Sequence, residues 1–169
     1  MKGYILFGGF LLLSTTVTAQ TKISGTLKCD KPEPAYQIEV GDRPGHIMAL
    51  EKLSCTWATP IDMGGDKAKD ASVVVSVDVT PTRSAASGAG VSTNESGDKA
   101  FTVIRDTTVI KNGKPEPTQG TWSYSGGTGK LKGIKGKGTY KTTLNEDRTS
   151  TVEVEGEYEL PKPKSPQGK

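Results

Sequence analysis

Beyond the first nineteen residues, apolar and polar positions alternate with a period of two, and no helical period of 3.6 is found. This pattern predicts eight strands. The first covers residues 22–29, with Ile23, Leu27 and Cys29 on one face. A connection rich in proline and glycine, residues 31–45, leads to a second strand over 46–57. Its faces are ambiguous: Ile47, Leu53, Cys55 and Trp57 share one parity, and His46, Met48 and Leu50 the other. A bulge or burial on both sides accounts for such a pattern. A polar loop fills 59–69. The third strand, 72–82, alternates Val73, Val75, Val77 and Val79 with Ser76, Asp78 and Thr80. The fourth, 87–95, is poor in large side chains.

The fifth strand, 99–111, sets Phe101, Val103, Arg105, Thr107 and Val109 against Ile104 and Ile110, and Asn112-Gly113 after it is a type I′ hairpin signal. The sixth carries Trp122 and Tyr124 on one face. The seventh sets Ile134, Gly136, Gly138 and Tyr140 against Lys135, Lys137, Thr139 and Lys141. The eighth, 150–160, sets Val152, Val154, Gly156 and Tyr158 against Glu153, Glu155, Glu157 and Glu159. Pro161 ends it, and the basic tail 161–169 is predicted disordered. An even number of sequential strands joined by short turns suits a closed antiparallel up-and-down barrel, which leaves no sheet edge. A two-sheet sandwich is the alternative.

The N-terminus specifies the compartment. Lys2, an apolar run over 4–13 and the small-residue series Val17-Thr18-Ala19 form a signal peptide, residues 1–19, cleaved before Gln20. The run is too short to span a bilayer, so no membrane span is expected. Residues 20–160 have the size of one domain with one core. In an exported chain the two cysteines, Cys29 and Cys55, are expected to form a disulfide, worth roughly 3 kcal/mol through loop closure. With one histidine beside them they are too few for a zinc site, and no metal or cofactor is expected. The formal charge is +3 with acids and bases interleaved, which is no nucleic-acid footprint.

The segment GGTGKLKGIKGKG, from Gly126 to Gly138, resembles the glycine-rich stretch of allene oxide cyclases and plant dirigent proteins. The longer GTWSYSGGTGKLKG region is also similar to secreted bacterial proteins of unknown function. The resemblance implies an eight-stranded, calycin-like antiparallel barrel, often a homotrimer. The catalytic residues of those enzymes lie outside the matched segment, so none is carried over to this chain.

An eight-stranded barrel is either filled by side chains or holds one small ligand. The aromatics assigned inward, Trp122, Tyr124, Tyr140 and Tyr158, are either core or the wall of an apolar ligand site. Arg105 shares a face with Phe101 and Val103. Turned inward, it needs a carboxylate, with Glu51 the internal candidate, or a ligand oxygen; at an edge it is solvated. Its parity assigns it to the interior. His46 is either a general base at the barrel mouth or a structural hydrogen-bonder. Asn94-Glu95-Ser96 matches a glycosylation acceptor. The function expected is binding of a small apolar or amphipathic ligand in the lumen, without catalysis. The alternatives are an enzyme steering a cyclisation or coupling, and a surface-interaction protein acting as an oligomer.

Overall fold

A computed structural model describes residues 20–161. The expected signal peptide 1–19 and the tail beyond Pro161 lie outside the described residues. The strands are β1 (Thr21–Cys29), β2 (Ala35–Glu39), β3 (Ile47–Thr59), β4 (Asp62–Met63), β5 (Asp66–Val79), β6 (Arg83–Asn94), β7 (Lys99–Lys111), β8 (Lys114–Pro115), β9 (Thr118–Gly127), β10 (Lys135–Leu144) and β11 (Ser150–Glu159). A single 3₁₀ turn, Gly129–Leu131, sits between β9 and β10.

Eight strands, β1, β3, β5, β6, β7, β9, β10 and β11, form a ring in which each is antiparallel to its neighbours in sequence. The β3–β5 and β1–β11 ladders complete the circle. The barrel is therefore closed, all-β and up-and-down. Inward positions follow the strict alternation of a pleated strand. On β1 these are Ile23, Gly25, Leu27 and Cys29, facing Gly156, Val154, Val152 and Ser150 of β11. Cys29 lies opposite Cys55 in the β1–β3 register, and the two are bonded.

The two ends differ. At one end, the β3–β5 connection folds Ile61 and Met63 inward, and the β9–β10 connection contributes Leu131 and Ile134. All four are buried, beside Ala68 and Ala100. This packing plugs the barrel. Tyr158 anchors the plug: its hydroxyl donates to Asp62 Oδ1 at 2.7 Å and accepts from Gly64 N–H at 3.0 Å. Asn94 does the same on the other side. Its Oδ1 accepts from Asp98 N–H at 2.8 Å and from Ser96 Oγ at 3.0 Å. Asn94 is only 1 % exposed, so the Asn94-Glu95-Ser96 triplet is a structural turn and its amide is closed to glycosylation in the folded chain.

The opposite end is open. There β2, in the stretch expected to be an irregular connection, pairs with the first residues of β3 and extends the wall past the end of β1. Its pairing resolves the two-sided pattern of β3. Ala49, Glu51, Leu53, Cys55 and Trp57 turn inward, whereas Met48 and Leu50 lie outside against Ile38 and Tyr36. Tyr36 and Ile38 remain 62 % and 72 % exposed. The ambiguity came from an outer face that is apolar, with the one bulge of the β1–β3 ladder falling near Ala58.

Candidate functional site: an apolar cup open at one end

Plugged below and open above, the barrel encloses a cavity of about 360 Å³, within the size range of small-molecule sites. Its wall is mostly aliphatic and aromatic: Ile23, Leu27, Leu53, Val75, Ile104 and Val154 are among the lining side chains. Glycines shape it. Trp122 of β9 lies over Gly138 and Gly156, the inward positions of the next two strands. A Cβ on Gly138 would come within 2.8 Å of its ring. The Trp122 Nε1–H donates to the Glu155 carbonyl at 3.2 Å, which locks the ring against the wall. These glycines thus permit close approach of aromatic rings.

Tyr140 uses the same device in the other direction. Its inward row reads Asp106 on β7, Gly120 on β9 and Tyr140 on β10. Because Gly120 has no side chain, the Tyr140 ring crosses β9 and its hydroxyl donates to Asp106 Oδ2 at 2.5 Å. Burial holds the Asp106 carboxyl above the usual carboxylate range, against the opposing pull of Tyr140 and of the Ala86 N–H. Burial also pushes the Tyr140 phenol far up, and the neighbouring carboxylate adds to it. Tyr124 is raised as well, through burial first and Tyr158 second. Above this pair, the hydroxyls of Thr108 and Thr118 meet at 2.5 Å.

Trp57 of β3 lines the opposite wall. It is 7 % exposed, and its Nε1–H is the one buried side-chain polar atom among the described residues with no hydrogen-bond partner. Glu51, six residues nearer the mouth on the same inward face, also lines the cavity and is half-buried. Glu116 and Arg148 stand at the open end.

The residues singled out from sequence divide cleanly. Trp122, Tyr124, Tyr140 and Glu51 meet in the lumen. Tyr158 faces inward but belongs to the plug. His46 lies outside the cavity, in the β2–β3 loop. Its Nδ1 is 2.6 Å from Asp42 Oδ1 and its Nε2 3.1 Å from Asp78 Oδ1, so it ties the loop to the end of β5. That contact holds the Asp42 carboxyl below its usual range.

Arg105 requires a correction. It is exposed on the outer face, paired in register with the equally outward Thr121. It borders a polar groove of about 650 Å³ with Lys141 and Glu153, which Asp106 and Tyr140 also line. The inward face of β7 is Thr102, Ile104, Asp106 and Thr108. Counting apolar residues favoured the wrong face because Phe101, Val103 and Val109 are solvent-exposed, while the true inner face carries the polar lining of a cavity. Asp106 and Trp57 also line the cavity and were not singled out from the sequence. Asp106 shares parity with Ile104 and Ile110, which is the signal that would have found it. No group of three or more His, Cys, Asp or Glu among the described residues could hold a metal, and no helix among them is long and apolar enough to cross a membrane.

The chain superposes on the pterocarpan synthase dirigent protein GePTS1 with a TM-score of 0.54, at 13 % identity, over 94 % of this chain and 99 % of that one. The fold is that of a dirigent barrel. The pterocarpan synthase dirigent protein PsPTS1 gives the same TM-score, 0.54, at 14 % identity, over 86 % of this chain and 97 % of its own. A protein of unknown function of the DUF3224 family from Shewanella oneidensis MR-1 gives 0.49 at 15 % identity, over 86 % of this chain and 100 % of its own. No family model and no curated protein matches the sequence. Within this dirigent-type barrel the glycine-rich stretch that carries the resemblance, Gly126 to Gly138, builds the end of β9, the plugging turn and the start of β10. It records architecture, and the lumen residues lie elsewhere.

Proposed function

We propose that this chain is an exported barrel that binds a small apolar or amphipathic molecule in its lumen without transforming it. The observation that carries the reading is the open cup of about 360 Å³, walled mainly by aliphatic and aromatic side chains. The disulfide agrees with an oxidising compartment, as does the signal peptide expected at residues 1–19. Native mass spectrometry on the protein purified from its own host tests the reading. The expected result is a co-purifying small molecule that is absent from Ala86→Trp, a substitution that fills the lumen from β6. An empty wild type that also takes up no apolar dye would refute it.

A second reading, an enzyme that steers a cyclisation or coupling, is favoured by one feature. Asp106 is a carboxyl beside an apolar cavity whose pKa burial raises, and a raised carboxyl pKa favours a proton donor. The similar structures are named as pterocarpan synthases, although at their level of identity they speak for fold alone. If the co-purified molecule emerges chemically altered after incubation, and Asp106→Asn abolishes the change while retaining binding, this second reading replaces the first.

A further inference from the structure

The lumen has a sign. Among the described residues, lysines are absent from its lining, and Arg148, at the mouth, is its one basic residue. Glu116 stands at the same open end, so the charges there balance in number. The other charged side chains of the lining are Asp106 and Glu51, both acidic and both partly buried, with Glu51 on the part of β3 that runs past the end of β1. They do not share a wall. Asp106 and its partner Tyr140 sit on the strands flanking β9, and Glu51 sits on β3. In a ring of eight, β9 and β3 are four strands apart whichever way the circle is followed. A guest in the middle of the cup therefore has a carboxyl on either side.

Aromatic faces occupy much of the remaining wall: Trp57, Trp122, Tyr124 and Tyr140. Trp122 and Tyr124 pack edge to face with centroids 4.9 Å apart, so their rings present differently oriented faces. Carboxylates combined with aromatic walls are the surroundings an organic cation prefers, since the ring faces and the acids attract the same charge. An anionic guest would face two carboxyls beside an apolar wall, with Arg148 the one basic side chain of the lining, among the described residues, to offset its desolvation.

Building on the lumen-binding reading, we infer that the cup selects organic monocations, a protonated amine on a compact apolar body, and rejects carboxylates of the same shape. The ammonium lies between Asp106 and Glu51, and the apolar body rests on the aliphatic floor above the plug. This reverses the anionic preference that an inward Arg105 would have given.

A matched trio of probes separates charge from shape: 1-naphthylmethylamine, 1-naphthylmethanol and 1-naphthoate, titrated calorimetrically into the disulfide-bonded protein at pH 7 and low salt. The amine is expected to bind at least tenfold tighter than the alcohol, with naphthoate weakest. Asp106→Asn keeps an oxygen for the Tyr140 hydroxyl, so the fold is retained. It should cut the amine's affinity at least fivefold and leave the alcohol's unchanged. Glu51→Gln should do the same to a smaller extent. Naphthoate binding as tightly as the amine, or an amine advantage that survives in the Asp106→Asn, Glu51→Gln double variant, would overturn the inference while leaving lumen binding intact. If none of the three binds and the host-purified protein carries nothing, lumen binding itself fails, and the charge preference with it.

Discussion

At the scale of single residues, the site depends on what is missing as much as on what is present. Tyr140 reaches Asp106 only because Gly120 lies between them. Gly120→Ala should therefore expel the ring, at a cost of roughly 1–3 kcal/mol for overpacking, and break the Tyr140–Asp106 bond. Urea denaturation reads the first effect and the near-ultraviolet tyrosine signal the second; unchanged values in both would contradict the geometry. Asp106 yields a prediction with a definite sign. Burial raises its folded-state value above the ordinary 3.8, so folding favours the protonated acid. Its contribution is complete below the unfolded value and is lost as pH rises through the folded one. Relative to Asp106→Asn, the wild type should thus lose stability between about pH 4 and neutrality. Urea midpoints of both proteins across that interval should diverge as pH rises, and a constant gap would count against a buried carboxyl. None of this was legible in the sequence. A glycine in a strand signals some close approach, but which ring fills the space depends on the register of three strands.

Among the elements, strands with one wet face were read almost residue for residue, because period-two alternation survives wherever the outside is charged. On β11 the outward Glu153, Glu155, Glu157 and Glu159 face Lys141, Thr139, Lys137 and Lys135 of β10 in exact order, and Lys22 of β1 lies opposite Glu157. Facing charges of opposite sign support the register and like charges oppose it. Glu157→Lys puts three lysines side by side and should lower the melting temperature measurably at low salt, with much of the loss recovered in 1 M salt. A loss insensitive to salt would mean that the ladder acts through packing. Alternation failed where both faces are mixed. On β7 the exposed Phe101, Val103 and Val109 outweighed the inner threonines and Asp106, and on β3 the outward Met48 and Leu50 are explained only by β2. The plug was also hidden. Leu131 and Met63 sit in stretches rich in glycine that read as loops, yet both are fully buried. Leu131→Ala should cost roughly 2–5 kcal/mol and open the closed end.

For the whole molecule, the two ends of the barrel are stabilised by different means, and this follows from the cavity at one of them. A barrel packed along its full length would need no cross-link, but it would have no room for a guest. Here the closed end has the plug, with Met63, Leu131, Ile61 and Ile134 buried together. The open half lacks that packing, and its inner wall is cavity. The Cys29–Cys55 bond lies at the mouth end of β1, joining it to β3 across the ladder that adjoins the extra strand β2. With a sequence separation of 26, it stabilises through loop closure by about 3 kcal/mol. The covalent tie thus stands at the open end, away from the plug. Reduction, or replacement of both cysteines by alanine, should therefore act unevenly. Hydrogen exchange is expected to rise first in β2, the first half of β3 and the mouth ends of β1 and β11, while the amides around Met63 and Leu131 keep their protection until global unfolding. A bound guest should restore much of the protection at the mouth, because it fills the volume the wall lacks. Uniform loss of protection at both ends on reduction would show that the barrel opens as one cooperative unit, and the division between a packed base and a tied mouth would have to be abandoned.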